Sequence, residues 1–99
     1  MGLTDWKGNT RTYIIIFSTS DEIRKKSIEE KLRTYYKWAI ITENAWAIVV
    51  DQSLTATILR DELAKILNDD SDRLMVILSG RVAAWKNSKC RAEWLKENL

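Results

Sequence analysis

The sequence predicts an α+β fold, and three observations carry that prediction. Four short apolar runs, at residues 11–18, 38–42, 45–50 and 74–78, have the length and the β-branched, aromatic character of strands. The first and last gaps between them hold helix-length segments that open on capping residues. The middle gap is the dipeptide Glu43-Asn44, a tight connection of the kind that joins hairpin strands. The 99 residues suffice for one domain, expected over residues 11–99, with residues 1–10 forming a flexible N-terminal arm that contains Gly2 and Gly8.

The first strand, RTYIIIFS, carries no charge after Arg11, and such continuous apolarity suits a strand buried on both faces, or a central strand. Thr19-Ser20-Asp21-Glu22 has the spacing of a capping box: the Thr19 hydroxyl would take an orphan amide while Glu22 reaches back. A helix over residues 20–34 follows, with Ile28, Leu32 and Tyr35 on one face and Ile23 well away from it. In the third strand Trp46, Ile48 and Val50 alternate with Ala47 and Val49, a period of two. Thr55 caps a second helix reaching about Asn68, with Leu59, Leu63, Ile66 and Leu67 inward. An acidic turn, Asp69-Asp70-Ser71-Asp72, leads into the fourth strand, which ends at Ser79-Gly80-Arg81. Residues 88–98 form a terminal helix with Trp94 and Leu95 on its apolar side.

Right-handed crossovers around a central hairpin turn this order into a ferredoxin-like split βαβ sandwich (βαββαβ) with an additional C-terminal helix: four antiparallel strands with two helices on one face. The other sheet face then needs a cover. The C-terminal segment or a second copy of the chain would supply it, and a homodimer is the expectation.

Composition narrows the chemistry. The chain has no histidine, which removes the commonest general base and transition-metal ligand, and one cysteine, Cys90, which suits a reducing cytoplasm. No stretch is long and apolar enough for a membrane span, so no membrane partner is expected, and no cofactor or metal ligand set is read from the sequence. The net charge of +2 conceals +3 over residues 1–37, −4 over 38–80 and +3 over 81–99. The basic residues of the first helix and its exit, Arg24, Lys25, Lys26, Lys31, Arg33 and Lys37, are the candidate nucleic-acid contacts, set against an ordinary solvated face braced by Glu22–Lys26 and Glu29–Arg33 pairs. Trp38, Trp46 and Trp85 are weighed as base-stacking surfaces against packing, which is favoured. Asp69, Asp70 and Asp72 lack the offsets of a cation loop and read as a polar turn.

Two stretches, WAIITENAWAIVVDQSLTATILRDEL and DDSDRLMVILSGRVAAWKNSKCRAEWLKENL, resemble the small ferredoxin-fold subunit of CRISPR spacer-acquisition complexes and its solitary SinR-like relatives. The resemblance covers residues 11–99 and rests on the hairpin Trp46, the Ser-Leu-Thr-Ala start of the second helix, the acidic turn, and Gly80, Trp85, Trp94, Leu95 and Leu99. It implies a non-enzymatic homodimeric interaction domain that docks nucleic acid or a protein in a prokaryotic or phage defence setting. Members of that family proposed to be metal-dependent nucleases place an aspartate at the end of strand one, where this chain has Phe17-Ser18. A metal-dependent endonuclease acting on RNA or DNA is therefore the alternative, without its carboxylate. A small-ligand module at the dimer interface ranks third.

Overall fold

The computed structural model describes residues 9–80 and 84–99. The elements run β1 (Thr10–Ser18), α1 (Glu22–Leu32), β2 (Lys37–Thr42), β3 (Ala45–Asp51), α2 (Ala56–Ala64), β4 (Arg73–Leu78) and α3 (Ala92–Asn98). The four strands form one sheet in the order β2-β3-β1-β4, with every neighbouring pair antiparallel. This is the predicted ferredoxin-like order with its extra helix.

Strand β1 is central, hydrogen-bonded to β3 on one side and to β4 on the other. Its alternation sends Tyr13, Ile15 and Phe17 to the helix face, where they meet Trp46, Ile48 and Val50 of β3, Ile28 and Leu32 of α1, and Leu59 and Leu63 of α2. The Tyr13 hydroxyl donates to the Leu54 carbonyl at 3.0 Å, so this large buried ring keeps its polar tip satisfied. Of the two expectations for this segment, the central strand holds and burial on both faces does not: on the opposite face Ile14 is half-buried and Ile16 is exposed.

The entry to α1 also differs. The cap is Asp21, whose Oδ1 accepts from the Ile23 amide at 2.8 Å and the Arg24 amide at 3.0 Å. Thr19 instead accepts from the Asp21 amide at 3.2 Å, holding the turn that precedes the cap. A charged carboxylate satisfies two orphan amides at the positive helix end better than a hydroxyl does, so the helix starts at Glu22 rather than two residues earlier. Ile28 and Leu32 are buried as predicted, and Ile23 is exposed. Helix α2 begins as expected, with the Thr55 hydroxyl accepting from the Ile58 amide, and stops at Ala64; Ile66 and Leu67 still pack on the core from the turns that follow.

The terminal segment explains the second sheet face. The Lys89 amide donates to the Ile41 carbonyl at 2.9 Å and its ammonium pairs with Glu43 at 3.2 Å, tying the chain to the outer edge of β2. That bond, a left-handed Asn87 at φ 54° and the Ser88 hydroxyl donating to the Cys90 carbonyl occupy residues 87–90, so α3 begins at Ala92 rather than at Ser88. Thr12, on the open face of β1, donates through its hydroxyl to the Asn98 carbonyl, placing α3 across that face with Leu95 buried. Strand β1 begins at Thr10, and just before it the Asn9 carbonyl accepts from the Gln52 amide. The rest of the expected arm, residues 1–8, and Arg81 of the expected turn lie outside the described residues.

Candidate functional site

The predicted basic patch divides between structural and exposed positions. Arg24 turns inward along the helix, donating through Nε to Asp72 at 2.7 Å and through Nη1 to Asp21 at 3.2 Å. It thereby joins the start of α1 to the turn before β4. The Asp72 side chain is only 1% exposed. Burial opposes its ionisation, but the Asn68 amide, the Arg24 guanidinium and the Thr19 hydroxyl outweigh that and hold its carboxyl down to about 2. Asp21 is lowered as well, chiefly by the Arg24 amide, and Arg24 is raised by its bond to Asp72. The acidic turn is thus a structural device: Asn68 Oδ1 accepts from the amides of Asp70 and Ser71, and Asp72 accepts from the Asn68 amide.

Lys31 is also engaged. It lies 3.9 Å from Glu62 of α2 and 5.5 Å from the Tyr35 ring centroid. Tyr35 donates to the same Glu62 at 3.0 Å, and burial followed by that bond raises its phenol well above its usual range. Lys25 is half-buried, whereas Lys26 and Arg33 are exposed; at 100° per residue Lys26 and Arg33 share the outer side of the helix, and Lys25 stands apart from both. Arg33 lies over two tryptophans, 5.5 Å from the Trp38 centroid and 5.1 Å from that of Trp46, with the rings themselves 5.5 Å apart. Lys37 stands over Tyr36 at 5.8 Å. The structure therefore gathers Arg33, Lys37, Tyr36 and Trp38 at the exit of α1, and assigns Arg24 and Lys31 to holding the fold.

Trp46 belongs to the core, as the packing reading expects, with its Nε1 buried and unpartnered among the described residues. Trp38 and Trp85 remain partly exposed. At the end of β1, Ser18 pairs with Arg73 in the strand register, and no group of three or more His, Cys, Asp or Glu side chains converges among the described residues.

The sequence reading located a sheet face that needed covering but did not divide it. Beneath α3 lie Ala39, Ala47 and Val49, all buried. Beyond α3, Ile16, Met75 and Ile77 stand exposed on the same face beside the outer edge of β4, which has no strand neighbour among the described residues. The alternation of β4 carried that signal: Met75 and Ile77 are out of phase with Leu74 and Val76, which pack on the core.

Among the described residues no helix is long and apolar enough to cross a membrane. No family model matches this sequence, and no curated protein matches it. The chain is similar in structure to a hypothetical protein, TT1823 from Thermus thermophilus, with a TM-score of 0.63 and 17% sequence identity over 82% of this chain and 96% of that one. At that identity the likeness concerns the fold alone, and the shared architecture is the α+β, ferredoxin-like sandwich that the strand order describes.

Proposed function

We propose that this chain is a non-enzymatic homodimeric interaction domain, of the kind implied by its resemblance to the small subunit of CRISPR spacer-acquisition complexes. It engages nucleic acid or a protein partner in a prokaryotic or phage defence setting, within the cytoplasm. The observation that carries the homodimer is the exposed strip of Ile16, Met75 and Ile77 next to the β4 edge, which has no strand neighbour among the described residues. Residues 74–78 of that edge contain no charge and no proline, the devices by which edge strands ordinarily avoid pairing. An isologous contact between two such edges satisfies the open backbone groups and buries the strip together.

The non-enzymatic reading rests on Ser18, which stands where family nucleases carry a carboxylate, and on a fold that uses Asp21 and Asp72 for capping and pairing rather than leaving them open. Static light scattering across a concentration series tests the assembly. The expected mass is twice the 11.5 kDa of the chain, and a single-chain mass throughout contradicts it. Incubation with RNA and DNA in the presence of Mg²⁺ or Mn²⁺ is expected to leave both intact; chelator-sensitive cleavage would restore the nuclease reading.

A further inference from the structure

A cleft of about 340 Å³ opens between β2 and the chain that leads into α3. Trp38 and Trp94 line it, with Ala39 and Ile40 on the strand side and Lys89 and Arg91 on the other. Its volume lies in the range of small-ligand sites and accommodates one planar heterocycle. None of the lining residues is acidic. The Arg91 guanidinium has no ion-pair partner among the described residues, and Lys89 pairs only with Glu43 at a solvent-exposed position. Arg33 lies over the Trp38 ring without lining the cleft itself, so the cations of the cleft are Lys89 and Arg91.

We propose that this cleft docks a base of a single-stranded nucleic acid, with flanking phosphates met by Arg91 and Lys89. The proposal deepens the nucleic-acid side of the function given above and rests on it. Aromatic side chains interleaved with cations are the physical requirement for sequence-tolerant binding of single strands: rings take the faces of bases and cations take the backbone. The described segment over residues 84–99 carries a net +2, a charge that favours a polyanion over a cationic or neutral partner at this cleft. The site lies on the β2 side of the sheet, away from the β4 edge, so dimerisation leaves it open.

The test is fluorescence anisotropy of a short labelled oligothymidylate titrated with the intact protein at low and physiological salt. Arg91→Glu is expected to weaken binding about tenfold and to flatten its salt dependence. Trp38→Ala is expected to weaken it about tenfold, with Trp38→Phe restoring most of the affinity because any flat ring serves. Trp38 also covers Trp46, so Arg91→Glu, at an exposed position, keeps the test valid where Trp38→Ala disturbs the fold. Wild-type binding that survives both Arg91→Glu and Trp38→Ala overturns the cleft while leaving nucleic-acid binding in place, and its loss in Lys25→Glu/Lys26→Glu would move the contact to the first helix. No wild-type binding at low salt overturns both, and leaves the dimer to be judged on its mass.

Discussion

The two halves of the open sheet face are built for different neighbours. On the β2–β3 side the residues facing outward are small or short, with Ala47 0% and Val49 3% exposed beneath α3. On the β1–β4 side they are large and aliphatic, with Ile16 40%, Met75 56% and Ile77 42% exposed. Alanine lets a helix approach a sheet closely, so the first half is finished within the chain. On the second half, long aliphatic side chains stand beside a β4 edge that has no strand neighbour among the described residues. One face thus separates a half covered within the chain from a half that stays exposed, the half on which the proposed dimer rests.

The largest effects should come from breaking the covered half. Leu95→Ala removes the buried anchor of α3 and is expected to cost about 2–5 kcal/mol in urea unfolding. Met75→Ala on the bare half, measured in an Ile77→Lys background that removes the proposed dimer contact, is expected to change stability by less than about 0.5 kcal/mol. Equal costs at the two positions would erase the distinction. Ala47→Leu sharpens it further: the added volume meets α3 and is expected to cost about 1–3 kcal/mol.

Much of the fold, though not the division of its open face, is legible in the sequence, because strand and helix periods survive in short apolar runs. Thr55, Glu43-Asn44 and the in-phase trio Trp46, Ile48 and Val50 all take their predicted places. The first helix cap was misassigned because Thr19 and Asp21 are both competent caps, and only the geometry of the turn selects between them. The sequence alone groups Arg24 with the candidate contact residues, because a helical wheel does not show Asp72, which approaches from a turn 48 residues away. The cleft at Trp38 and Trp94 was out of reach for the same reason: it depends on a hydrogen bond between Lys89 and Ile41 that no local pattern encodes.

A smaller effect separates the α1–β4 junction from both sheet halves. Asp72 has a carboxyl held at about 2, below its value in the unfolded chain. Its stabilising contribution is complete above the unfolded value, near pH 4, and is lost as pH falls through about 2. Melting temperature is therefore expected to fall over that interval, and Asp72→Asn to show a shallower fall from a lower starting point. Parallel curves for the two proteins would remove Asp72 from the acid response. Smaller still, Lys26→Ala is expected to leave stability unchanged within about 0.5 kcal/mol, whereas Arg24→Ala lowers the melting temperature because it strands Asp72.

Sedimentation velocity on Ile77→Lys beside the wild-type protein tests the central claim most directly. A lysine in the middle of the bare strip leaves the helix-face core untouched, so the circular dichroism spectrum should not change. The account predicts a wild-type dimer and an Ile77→Lys monomer at equal concentration. Two proteins sedimenting alike, whether both as monomers or both as dimers, would contradict it.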